Sequence, residues 1–171
     1  MGRVLLLNIF RFILFVMMQV FLFRNIGYYN LAAPFPYIYF LLALPLNISN
    51  FLLYAIAFLT GLTIDAFYDT PGVHAAACTA LAWARIVFLN ITIQPENHEQ
   101  LATPGMSEMS FRWYFIYALV LSFFHHLVLF ILEAFSLANF HYTLISVFLS
   151  CIFTVVLLLL FDFIFYRKKK R

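Results

Sequence analysis

Two carboxylates, an imidazole and a helix-breaking pair fall together once in this chain, at Gly61-Leu62-Thr63-Ile64-Asp65-Ala66-Phe67-Tyr68-Asp69-Thr70-Pro71-Gly72-Val73-His74, with long apolar runs on both sides. Ionisable groups are costly inside a bilayer, so such a cluster at a hairpin between two apolar segments is a functional-site candidate. Thr70 reads as a hydroxyl cap and Pro71 as a first helical residue, where the missing N–H is no loss. One helix is therefore expected to end near Tyr68 and the next to begin at Pro71. Asp65 and Asp69 lie four residues apart on one face, in a last turn where a carboxylate meets the negative end of the macrodipole. Something must offset them. The candidates are His74 or His141 as cations, Arg24 on a nearby loop, or backbone donors at the start of the next helix. Asp69 by itself reads as an exposed turn residue and His74 as a partner of the turn, while Asp65 is open to both function and helix packing.

The other polar residues of the apolar body are Arg11, Arg85, His125, His126, Glu133, His141 and Asp162. Arg11 and Arg85 lie about 10 Å from their helix ends at 1.5 Å per residue, and both are expected to snorkel to headgroups. Asp162 is expected to pair with the basic residues that follow it. Glu133 and His141 map near helix ends, with His125 and His126 about two turns deeper. These two histidines point about 100° apart on a helix, so they do not face one ligand and one of them reads as interhelical glue. Spacings such as H-x-x-E-H or H-x-x-x-H are absent, and no metal or other cofactor is expected. G-x-S-x-G, C-x-x-C and a phosphate loop are absent too, so the chain reads as a non-enzyme. Cys78 and Cys151 sit inside apolar runs as core filler.

The elements that hold these groups follow from composition. With 65% hydrophobic and 10% charged residues and a mean hydropathy of +0.98, the chain has too little polar surface for a soluble domain and reads as all-α and polytopic. The net charge of +3 does not call for nucleic acid, because Arg167-Lys168-Lys169-Lys170-Arg171 holds half of the ten basic residues and reads as a topological anchor. Met1-Gly2-Arg3 and the run after it resemble a signal peptide, but Arg11 interrupts the run and no A-x-A site follows, so the segment is kept as a first helix. The apolar runs are 4–23, 37–46, 51–68, 71–91, 111–132 and 141–166. Six crossings are expected in a single integral domain of residues 1–171, the second and third short; a five-span reading would put Arg3 outside. Residues 37–68 could be two short spans or one broken helix. The positive-inside bias puts both termini, the 92–110 loop and the 167–171 tail in the cytoplasm. Trp83 and Trp113 read as interface-belt aromatics.

The run Gly61-Leu62-Thr63-Ile64-Asp65, followed by Pro71-Gly72-Val73-His74-Ala75-Ala76-Ala77, resembles the G-x-x-x-D…G-hydrophobic-H-A core of the bacterial rod shape-determining protein MreD family. The order of features over most of the chain is similar too, and His125-His126…Glu133-Ala134-Phe135-Ser136 is similar to a variant of it. The resemblance implies a fold similar to the substrate-binding subunit of energy-coupling-factor transporters. It implies a non-enzymatic part of the cell-elongation complex in the bacterial inner membrane. The implied direct partner is MreC, with MreB, RodA and a class B penicillin-binding protein in the wider complex that directs peptidoglycan synthesis. Self-association stays open. Gly61, Asp65, Pro71, Gly72 and His74 are then the structural and partner-contact core. The competing expectation is a vitamin-binding transport subunit with an outward, aromatic-lined pocket; a proton-coupled accessory of a lipid flippase, using His125, His126 and Asp65, is a third.

Overall fold

A computed structural model describes residues 2–26, 32–93, 103–135 and 140–165. All the described elements are helices, and five stretches are long and apolar enough to cross a membrane: Leu6–Phe23, Asn50–Tyr68, Val73–Thr92, Phe111–Ala134 and Phe140–Ile164. The chain is a multi-pass membrane protein. Helix α1 (Gly2–Met17) runs into a π-helical segment, Met18–Phe23; a short α2 (Ile38–Leu42) follows, then α3 (Asn50–Tyr68), α4 (Val73–Thr92), α5 (Phe111–Ala134) and α6 (Phe140–Ile164). The most extensive helix contacts are α3 on α4, α5 on α6 and α4 on α5. The first span rests at the edge: it is the least buried of the five, so it is held by few anchor points.

Local sequence accounts for most helix ends. Ser49 accepts from the Leu52 N–H and Ser110 from the Trp113 N–H, which caps α3 and α5. Helix α3 stops at Asp69, whose φ of 57° is the left-handed conformation that aspartate tolerates, and whose N–H returns to the Asp65 carbonyl. Helix α4 begins two residues later than the sequence suggested. Gly72 takes the cap position with φ 84°, and Thr70 turns its hydroxyl to Asp65. The reason is that the first N–H groups of α4 are met from the preceding helix, so no local hydroxyl cap is needed.

Residues 32–46 occupy the middle of the bundle. The third apolar segment is a full-length helix, whereas the second contains only the five residues of α2, flanked by irregular chain. All of 37–44 are buried. Irregular backbone at membrane depth is tolerated only where protein supplies its hydrogen bonds. Here side chains supply them, in order along the segment. Gln19 donates to the Pro34 carbonyl, Ser150 accepts from Ala33 N–H and Thr154 from Phe35 N–H. Tyr117 donates to the Leu42 carbonyl, Arg11 to Ala43, and Arg85 to Leu44 and Pro45. Arg85 is thus a correction: it is 2% exposed and does not snorkel, because the open carbonyls after α2 need its donors more than it needs water. Arg11 likewise reaches inward, at 3.5 Å from its acceptor.

The core around this segment is aromatic. Phe15 packs on Tyr39 and Phe161, and Tyr39 stacks on Phe165. Asp162, near the end of α6, accepts from the Tyr39 hydroxyl and from Met106 N–H, which fastens residues 103–110 to the end of the bundle. Its expected partners, 167–171, lie outside the described residues. Thr154→Val keeps the shape of the side chain but leaves the Phe35 N–H and the His126 ring nitrogen unpaired. Two orphaned buried groups cost about 2–4 kcal/mol, so the expected outcome is a clearly lower thermal midpoint in detergent, while Thr143→Val, outside this network, leaves it unchanged.

Candidate functional site

The hairpin between α3 and α4 is closed by Asp65. Its Oδ1 accepts from the His74 N–H at 2.9 Å, from the Thr70 hydroxyl at 2.9 Å and from His74 Nδ1 at 3.0 Å, and its Oδ2 accepts from the Ala75 N–H at 2.9 Å. A carboxylate on one helix therefore caps the N-terminus of the next, where the macrodipole is positive. That is the offset the sequence demanded. Of the candidates named for it, backbone donors and His74 serve Asp65, while Arg24 goes to Asp69 at 3.7 Å and lies over the Tyr68 ring. His141 instead lies tilted against the ring of Tyr142. The Arg24–Asp69 pair is exposed and contributes little to stability.

Gly61 makes this closure possible. A Cβ there would run into the backbone of His74 and Ala75, so α3 and α4 cross in direct backbone contact one turn before Asp65. The spacing of four residues then puts the carboxylate over the first turn of α4. Pro71 and Gly72 form the link, and the positive φ of Gly72 lets it turn tightly enough for the two ends to meet.

Behind the hairpin lies a polar, aromatic interior. The Phe35 ring is surrounded by three imidazoles, with centroids 6.0 Å to His74, 6.4 Å to His125 and 5.3 Å to His126. His126 Nδ1 contacts the Ser122 carbonyl and so carries the proton, which leaves Nε2 to accept from Thr154, whose oxygen takes the Phe35 N–H. His125 Nε2 pairs with the Tyr37 hydroxyl at 2.9 Å, with the Cys78 thiol 3.9 Å from that hydroxyl. Both histidines hold the central segment, rather than one alone, and they bond different partners as their angular offset required. Gln19 joins from the first span, bonded to Tyr68 at 2.6 Å. Gln19 Oε1, His74 Nε2, Ser122 Oγ and His125 Nδ1 are buried with no partner among the described residues.

The structure therefore brings together Gly61, Asp65, Pro71, Gly72 and His74, and places His125 and His126 behind them. Glu133 is exposed at the end of α5, apart from the cluster, and Arg11 and Arg85 serve the other end of the central segment. Among the described residues no three His, Cys, Asp or Glu side chains are placed to hold a metal ion. Sequence reasoning missed Gln19, Phe35, Tyr37 and the pair Ser150 and Thr154. The last two carried a signal: small hydroxyls at i and i+4 mark one face of an otherwise apolar helix.

No family model, no curated protein and no solved structure matches the chain. Gly61→Ala overpacks a backbone contact and is expected to cost about 1–3 kcal/mol. Asp65→Ala strips three N–H donors of their acceptor, and the thermal midpoint in detergent is expected to fall at least as far, about 2–4 kcal/mol. Asp69→Ala, at the exposed tip, is expected to leave it unchanged.

Proposed function

We propose that the chain is a non-enzymatic membrane component of the bacterial cell-elongation complex, of the MreD type, that holds the bitopic protein MreC and through it helps direct peptidoglycan synthesis. The observation that carries the reading is the use of Asp65 and His74. The motif residues that raise the resemblance are spent on one task, closing the α3–α4 hairpin through bonds from Thr70, His74 and Ala75. A clamp of that kind fixes the shape of one face for a partner. The hairpin tip then offers exposed Asp69 beside Arg24 for recognition. The vitamin-binding alternative needs an outward chamber in this half of the bundle, and Phe35 and Tyr37 fill it, packed against His74 and His125.

The buried segment 32–46 supplies the inner half of a sixth crossing in this reading. Its contacts run from Ser150 and Thr154 at mid-helix to Asp162 near the end of α6, as a descending chain requires. Both termini and the 92–110 loop then share the cytoplasmic side of the inner membrane, with the hairpin tip outside. MreB, RodA and a class B penicillin-binding protein belong to the wider assembly.

Depletion in a rod-shaped bacterium that encodes the chain is expected to give round cells. MreC is expected to co-purify with the wild-type chain and to be recovered poorly with the Asp65→Asn, His74→Ala variant. Undiminished recovery at normal expression would remove the hairpin from the partner-binding surface.

A further inference from the structure

His74 is held by one of its two ring nitrogens. Nδ1 lies 3.0 Å from both Asp65 Oδ1 and the Thr70 hydroxyl, and a carboxylate only accepts, so Nδ1 carries the proton. In the neutral ring Nε2 is then a bare lone pair. It is buried with no partner among the described residues, on a residue 4% exposed. A second idle acceptor belongs to the first span. The Gln19 amide nitrogen donates to the Pro34 carbonyl and to the Tyr68 hydroxyl, which fixes the amide oxygen on the other side, and that Oε1 too is buried without a partner among the described residues. Both groups adjoin Tyr68: the Gln19 nitrogen is 2.6 Å from its hydroxyl, and the His74 ring centroid is 5.1 Å from that of its ring. Two buried acceptors do not satisfy each other. A proton on Nε2 turns one of them into a donor for the other.

We propose that His74 Nε2 is a reversible proton-binding site, with Asp65 as the counter-ion and Gln19 Oε1 as the acceptor of the new N–H, directly or through one bridging water. The bound proton also makes the buried Asp65–His74 pair neutral overall, whereas the carboxylate beside a neutral ring leaves a net charge. It reaches the ring from the hairpin tip, past Tyr68 and Thr70, both only half-buried. The other titratable groups facing the ring are Tyr68 from α3, Tyr37 from the central segment and His125 from α5, with Cys78 one turn further along α4. Arg24, over the Tyr68 ring, is already paired with Asp69. The consequence falls on the first span, which has few anchor points and carries Gln19. Its new bond to the hairpin exists only with the charged ring, so docking of the span is favoured on the acid side of the titration and lost as the pH rises.

The test uses the full-length chain in lipid nanodiscs, with histidine isotope-labelled at the ring nitrogens and titrated by NMR over about pH 5 to 8, where histidine changes charge. The His74 signals are identified by their loss in His74→Gln and by their proximity to the Tyr68 ring. They are expected to pass from the neutral Nδ1–H form to the imidazolium as the pH falls. Amide exchange over residues 18–26, corrected for its intrinsic pH dependence, is expected to slow about three- to tenfold in the acid form, the range of one interhelical hydrogen bond in a bilayer. Gln19→Leu is expected to abolish that slowing; should the variant not fold, the wild-type titration and exchange still decide. Asp65→Asn keeps the shape and loses the charge, and is expected to move half-protonation about one to three pH units toward acid. A His74 ring that stays neutral across the whole range overturns the site. So does a protonated ring with unchanged exchange over 18–26. Neither measurement involves MreC, so their failure leaves the proposed function standing.

Discussion

A peptide segment that runs through a helical bundle without being a helix must find a partner for every buried N–H and C=O, and in a membrane water does not provide them. Residues 32–46 impose that demand, and the rest of the polar sequence answers it. Gln19, Ser150, Thr154, Tyr117, Arg11 and Arg85 come from four of the long spans and end on two stretches of the same backbone, 33–35 and 42–45. Removing any one of them exposes an unmet group in hydrocarbon, which explains why so apolar a chain keeps them.

Asp65 and Arg85, both buried, follow one electrostatic rule. Asp65 sits on N–H groups at the start of α4, and Arg85 on carbonyls just beyond the end of α2. Each charge meets backbone dipoles of the opposite sign, with the His74 ring as one further donor to Asp65, so neither depends on a partner from Lys, Arg or a second carboxylate. A buried ion pair would have had to repay the desolvation of two charges at once, and its breakage would strand the survivor. Backbone ends avoid this, since they are present wherever a helix begins or stops.

Much of this was legible in residue types. Hydropathy located the long helices, and the placement of Asp65 in a last turn already called for an offset, with backbone donors of the following helix as one of several candidates. The start of α4 was misjudged because Thr70-Pro71 carries the local signature of a helix start, while the carboxylate that took over the capping lies five residues upstream. The fate of 37–46 was not legible. Ten apolar residues with prolines at both ends fit a short span, a kinked helix or a buried strap equally well, and the choice is made by hydroxyls more than a hundred positions away, on Ser150 and Thr154. Arg85 was misread for a related reason: depth along a helix says how far a guanidinium is from headgroups, but not that carbonyls lie closer.

The π-helical segment Met18–Phe23 sets the rotational phase of the first span. A π turn carries one more residue than an α turn, and each residue advances the helix by about 100°. Within it Gln19 faces inward to Pro34 and Tyr68, and just past it Arg24 arrives over Tyr68. A chain one residue shorter here would recover ordinary winding, yet it would swing Arg24 roughly a quarter-turn off the hairpin. The length of this edge span is therefore constrained to the single residue, even though most of its surface touches only lipid.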